Sequence, residues 1–202
     1  LYSSFKRRIL MKVDIKSKRL VFDDFFKVEE ATLRYQRFDG TMSATVSRRN
    51  FVRGDSVAAI VFNADSQHVI LVNQFKYPTY DKGPGWISEV VAGILEEGES
   101  PEEAIRRELI EEIGYRPRRL RHICTFYVSP GGTSERIILY YAEVTNEDRI
   151  GSGGGVEAEG ENIRLVELSL SDLRSAVESN DIVDAKTLVG ALWLQQENNR
   201  QP

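Results

Sequence analysis

The residues whose types and spacing can do chemistry are Glu108, Glu111 and Glu112. At i, i+3 and i+4 of a helix they share one face, with neighbouring Cβ atoms roughly 5–6 Å apart. Two carboxylates about 6 Å apart at an effective dielectric of ~20 repel by roughly 2–3 kcal/mol. A divalent cation reverses the sign of that interaction. Mg²⁺ in particular takes hard oxygen ligands and keeps several waters for substrate phosphates. The plainer reading is a solvated acidic helix in which Arg107 pairs with Glu103 and Glu111, each pair adding a few tenths of a kcal/mol.

The helix that must carry these groups is well marked. Ser100, Pro101 and Glu103 spell a capping box with proline at the first helical position, which starts a helix at Pro101. Ile105 and Leu109 lie one turn apart and face a core, Ala104 lets a neighbour approach, and Gly114 stands where a left-handed cap ends the helix near Ile113. Upstream, Gly93 and Gly98 bracket a short acidic loop. The run 86–91 leads into Ala92-Gly93, where glycine lets the backbone come close to a ligand, with the Ala92 carbonyl well placed to be offered to a metal.

Around this stretch the chain alternates between strand and turn signals. From 19 to 53 it reads as antiparallel strand, with Asp39-Gly40 as a hairpin turn. Some 50 residues of strand are too few for an independent core, so this region should lean on the rest of the chain or on a second subunit. The β-branched runs 56–62 and 68–75, separated by Asn63-Ala64-Asp65-Ser66, read as a hairpin in a buried sheet. Further strands are expected at 120–128, 137–144 and 163–168, then helices at 171–178 and 184–196 that cover the sheet. Gly151, Gly153, Gly154 and Gly155 precede Glu157, Glu159 and Glu161, as a mobile closing loop that carries a general base would require.

With 27 basic and 31 acidic residues and a net charge of −4, the chain lacks the basic excess of a nucleic-acid binder. Cys124, the single cysteine, excludes an internal disulfide framework and fits a reducing compartment. There is no apolar run near the ~20 residues of a membrane span and no signal-peptide core, so a cytoplasmic protein is expected. Met11 reads as a natural start, with 1–10 as an upstream tail.

Gly93, five residues, Glu99, seven residues and then Arg107-Glu108-Leu109-Ile110-Glu111-Glu112-Ile113-Gly114 resemble the Nudix hydrolase box, departing only where Tyr115 replaces a smaller aliphatic residue. Tyr still packs an apolar ring there. Arg53-Gly54, VVAGILEEGES at 90–100, SPGGTSER at 129–136 and EGENIR at 159–164 extend the resemblance to the ADP-ribose pyrophosphatase branch, with Pro130 where a proline marks enzymes acting on ADP-ribose. The resemblance implies an α+β Nudix fold, with a mixed sheet sandwiched between helices and a small N-terminal antiparallel β region. Residues 1–53 would contribute to a homodimer and 54–202 would form the catalytic domain.

It further implies Mg²⁺-dependent hydrolysis of ADP-ribose to AMP and ribose 5-phosphate, with Mn²⁺ as the alternative ion. Glu108, Glu112, Glu111 and the Ala92 carbonyl would hold the metal, Arg107 would orient the carboxylates, and Glu99 would tie the loop to the helix. Glu159 is the first choice for the base, and Glu161 is base or additional ligand. Lys76, Arg53, Glu135 and Pro130 would contact the substrate. Two alternatives stand beside this. GGGVE at 153–157 and Asp184-Ala185-Lys186-Thr187 also resemble enzymes cleaving GDP-mannose or UDP-sugars. A non-catalytic ADP-ribose-sensing module would be expected to have lost metal ligands.

Overall fold

The structure, a computed structural model, describes residues 11–198. Residues 1–10, the expected tail, lie outside the described residues. The chain divides into two compact units, Leu1–Arg53 with Ser129–Glu135, and Gly54–Val128 with Arg136–Pro202.

In the first unit β1 (Val13–Asp23), β2 (Lys27–Tyr35) and β3 (Val46–Val52) form an antiparallel sheet in that order. β1 begins before the expected start at Arg19. Val13 lies opposite Tyr35 and Asp23 opposite Lys27, while β3 pairs Val46 with Leu33. Asp39-Gly40 makes its turn, with Gly40 at φ +86 and the Asp39 carboxylate accepting from the Thr41 backbone at 2.9 Å. The turn sits within the longer connection 36–45, which a bridge between Gln36 and Met42 narrows. The segment Ser129–Glu135 belongs here because Phe51 N donates to Gly132 O (2.8 Å) and Thr133 Oγ1 donates to Phe51 O (2.8 Å). Much of this sheet's apolar side-chain surface stays exposed, including Val13, Ile15, Leu20, Phe22 and Phe25.

The second unit holds β4 (Ser56–Asn63), β5 (His68–Phe75), β6 (Trp86–Glu89), β7 (Val91–Ile94), β8 (Arg119–Tyr127), β9 (Arg136–Val144) and β10 (Arg164–Ser169). They build one sheet in the order β10-β5-β4-β9-β8, with β6 added to β5 and β7 to β4. β4 and β9 run parallel, and the remaining pairs are antiparallel. Successive side chains of a strand point to opposite faces, and β4 uses both. Val57, Ala59 and Val61 pack with Ile105, Leu109 and Ile113 of α1 (Pro101–Ile113). Ala58 and Ile60 join Leu173 of α2 (Leu170–Glu178) with Ala191 and Leu194 of α3 (Ala185–Asn198). The result is the expected α+β arrangement, a mixed sheet between helices.

The ends of α1 follow from its sequence. Ser100 Oγ accepts from Glu103 N (3.3 Å), the Glu103 carboxylate accepts from Ser100 N (2.9 Å), and Gly114 takes the left-handed conformation at φ +76. Two expectations shift. The run 86–91 is two short strands with different neighbours, and α2 is capped by Ser169, whose hydroxyl accepts from Asp172 N at 3.1 Å. Among the described residues no helix is long and apolar enough to cross a membrane.

Candidate metal centre

α1 presents Glu108, Glu111 and Glu112 beside β7, which carries Ala92-Gly93. Arg107 occupies the centre of the acidic group. Its Nε and Nη2 donate to the two carboxylate oxygens of Glu99 (3.1 Å each), and its Nη1 donates to Glu108 (2.7 Å) and Glu111 (3.1 Å). A bidentate arginine–carboxylate pair is the stiffest such link, so the acidic loop is tied to the helix. These partners, Glu99 first, push the Arg107 pKa above its ordinary value. Burial raises the Glu108 pKa and Arg107 works against that rise.

Glu112 is placed differently. It is 4% exposed, and among the described residues no lysine or arginine pairs with it. Its carboxylate accepts one hydrogen bond, from Ala92 N at 3.3 Å. Burial first, then the charges of Glu108, Glu89 and Glu161, push its pKa up to about 8. Ala92 stands opposite Ala58 in an antiparallel ladder, yet its N–H goes to Glu112. N–H and C=O of one residue point to the same side in such a ladder, so the Ala92 carbonyl is also turned away from β4. Gly93 is a packing requirement, since a Cβ there would lie 1.8 Å from Glu108 Oε1.

The glycine-rich segment is docked where a mobile loop was expected. Gly154 N donates to Glu112 O (2.9 Å), Gly155 N to Glu111 O (3.1 Å), and Ile150 N and Gly151 N to Gly114 O (2.8 and 3.2 Å). These amides satisfy carbonyls that the end of α1 leaves without helical partners. Glycine permits the approach, because a Cβ on Gly153 would lie 2.6 Å from Glu112 O. Beyond the docked part, Glu157–Glu159 form a short 3₁₀ turn, and the side chain of Glu159 lies outside the described residues. Glu161 accepts from Val156 N at 2.9 Å, and its charge helps raise the pKa values of Glu108 and Glu112.

The other candidate residues fall into separate groups. Lys76 Nζ pairs with Glu89 Oε1 at 3.1 Å in the second unit. In the first unit Arg53 Nε lies 4.0 Å from Glu135 Oε2, with its guanidinium 5.4 Å from the centre of the Phe26 ring, and Pro130 lies in the loop Ser129–Glu135. That unit also holds a cavity of about 590 Å³ lined by Val28, Glu30, Arg48, Arg49 and Phe51, among others. Glu89 escaped the sequence reading. It is 5% exposed and held by Lys76 on one oxygen and by Lys186 (2.9 Å) on the other. Burial opposes the charge of Lys186, but Glu89 and Asp184 outweigh it and raise its pKa. The available signal was an acidic residue directly before the apolar pair Val90-Val91.

A divalent cation fits the groups present. Glu112 is buried and Glu108 half-buried beside an outward-turned carbonyl, a set of hard oxygen donors with Glu112 lacking a cationic partner among the described residues. Among the described residues no three acidic, histidine or cysteine side chains are already gathered so as to hold a metal ion. Glu108 and Glu111 instead both lean on Arg107. An open half-site suits an ion that retains waters and meets a substrate phosphate.

Comparison with known proteins agrees with this geometry. The NUDIX domain family matches residues 52–187. The chain is 35% identical over 184 residues to the ADP-ribose pyrophosphatase of Escherichia coli (strain K12), covering 91% of this chain and 88% of that protein. It is 32% identical over 189 residues to the GDP-mannose pyrophosphatase of Escherichia coli (strain UTI89 / UPEC), covering 93% and 97%. A crystal structure of an ADP compounds hydrolase shares the fold with a TM-score of 0.72 at 20% identity, over 94% of this chain and 96% of that one.

Proposed function

This chain belongs to the NUDIX family and is a Nudix hydrolase, and on that premise we propose that it cleaves the diphosphate of ADP-ribose to AMP and ribose 5-phosphate with Mg²⁺. The observation that carries the proposal is the buried carboxylate of Glu112, facing Ala92 without a cationic partner among the described residues. Glu108, Glu112 and the Ala92 carbonyl are assigned to the cation, with Glu111 sharing its water shell. When bound, Mg²⁺ polarises the diphosphate and lowers the pKa of a coordinated water. Arg107 holds Glu108 and Glu111 in register and ties them to Glu99. Glu161, whose charge acts on both Glu108 and Glu112, is assigned to the metal side, which leaves Glu159 as the base that takes the proton of the attacking water. Lys76, Arg53, Glu135 and the loop at Pro130 are assigned to the substrate.

A second substrate is favoured by one observation, the nearly equal likeness to a GDP-mannose pyrophosphatase. A sensing module without turnover is disfavoured because all three helix glutamates and both loop glutamates are present. The test compares kcat/KM for ADP-ribose, GDP-mannose and UDP-glucose, with Mg²⁺ and with chelator. AMP release led by ADP-ribose by tenfold or more, about 1.4 kcal/mol of transition-state preference, supports the proposal. Faster release of GMP or UMP moves the substrate, and no cleavage with binding intact supports sensing. The proposal extends to a homodimer in a reducing, cytoplasmic setting. Support comes from the exposed apolar side chains of the β1-β2-β3 sheet and from the single cysteine, and light scattering during gel filtration measures the mass.

A further inference from the structure

β6 and β7 are separated by one residue, Val90, and pair with different strands, β6 with β5 and β7 with β4. Val90 belongs to neither ladder, so its N–H needs another partner. It donates to Thr187 Oγ1 at 2.9 Å, a hydroxyl on the first turn of α3 that is fully buried and 97 residues away in sequence. Thr187 Oγ1 in turn donates to Asp184 Oδ2 (2.7 Å), which also accepts from Thr187 N (2.9 Å). The other Asp184 oxygen accepts from Lys186 Nζ (2.7 Å), and the same ammonium reaches Glu89 Oε2 (2.9 Å), the residue just before Val90. From the opposite side Ala92 N is held by Glu112.

We infer that the turn Asp184–Thr187 is a remote clamp on the strand that offers the Ala92 carbonyl, with Thr187 and Lys186 as positioning residues for the cation. The inference rests on the assignment of Ala92 and Glu112 to the metal. Within four residues the segment is held at the Glu89 carboxylate by two lysines, at the Val90 amide by Thr187 and at the Ala92 amide by Glu112. Among the described residues the Val90 N–H has no other acceptor, so the aim of a carbonyl two residues further on depends on α3 holding that amide. Groups that orient metal ligands without touching the metal alter affinity by about 10–100-fold when removed.

The test titrates Mn²⁺ into the full chain without substrate, read by electron paramagnetic resonance, alongside hydrogen exchange of the Val90 amide. Thr187→Val keeps the shape and removes the hydroxyl. It should weaken Mn²⁺ binding about tenfold and speed Val90 exchange while leaving KM at saturating metal unchanged, and Thr187→Ser should restore all of these. Lys186→Met gives an independent break and should move Mn²⁺ affinity in the same direction. Unchanged Mn²⁺ affinity in Thr187→Val, even with a lower Tm, overturns the inference. A Lys186→Met protein that changes only substrate KM removes Lys186 from the clamp. Glu112→Gln, titrated in parallel, separates the failures. If it keeps wild-type Mn²⁺ affinity, the metal assignment fails and takes the clamp with it. If it loses Mn²⁺ while Thr187→Val does not, the clamp alone is wrong.

Discussion

Glu112 should make the metal-free protein less stable as pH rises. Its carboxyl has an ordinary value of 4.5 and is raised to about 8 in the fold, chiefly by burial. Below 4.5 the group is protonated in both folded and unfolded chains. Between 4.5 and 8 the unfolded chain releases a proton that the folded chain retains, so stability is lost across that window and levels off above it. One proton corresponds to about 1.4 kcal/mol per pH unit, so from pH 5.5 to 7.5 this group removes roughly 2.7 kcal/mol. Glu112→Gln cannot ionise and should escape the loss. Urea unfolding in chelator at the two pH values measures it, as the stability difference between Glu112→Gln and wild type. That difference should shift by roughly 2–3 kcal/mol in favour of the variant at pH 7.5. Mg²⁺ should recover more stability at pH 7.5 than at 5.5, because it competes with the proton. A difference between the two proteins that is the same at both pH values would refute the burial argument.

Gly93→Ala sets a Cβ 1.8 Å from Glu108 Oε1 and must displace that carboxylate, so metal-dependent turnover should drop by about a hundredfold, as kcat measured against Mg²⁺ concentration will show. Gly153→Ala drives a Cβ to 2.6 Å from Glu112 O. It should lift the docked segment from α1, lowering kcat and speeding exchange of the Gly154 and Gly155 amides. Ser100→Ala removes the α1 cap and should cost about 1 kcal/mol of stability in urea unfolding, with kcat at saturating Mg²⁺ unchanged.

The elements legible in the sequence are those written by local chemistry. The bounds of α1 were readable because Ser100, Glu103 and Gly114 act within one turn of their own positions. β4, β5 and β9 were readable because burial on both faces leaves continuous apolar runs. β1 was partly hidden because Lys16, Ser17, Lys18 and Arg19 lie on an exposed sheet. The break at Val90 was invisible, since no glycine or proline in 86–92 marks a change of partner that only the flanking strands dictate. In the site, the acidic face of α1 followed from helical spacing. The pairing of Glu89 with Lys186 joins residues 97 apart in sequence, and no local pattern encodes it. The glycines at 151–155 were read as flexibility, yet several serve close backbone approach, a distinction that depends on what they approach.

The parallel pairing of β4 with β9 bears on how the molecule is made. Ser56 aligns with Ile137 and Asn63 with Val144, so the central strand waits for a partner some 80 residues further along the chain. Everything between, α1 included, emerges from the ribosome before the sheet can close, and the α3 turn that grips Val90 emerges after β9 and β10. A chain stopped short of Thr187 can carry every acidic residue of the site and still leave the Val90 amide without its acceptor. Full affinity for the ion should therefore appear only once the turn Asp184–Thr187 has docked on Val90.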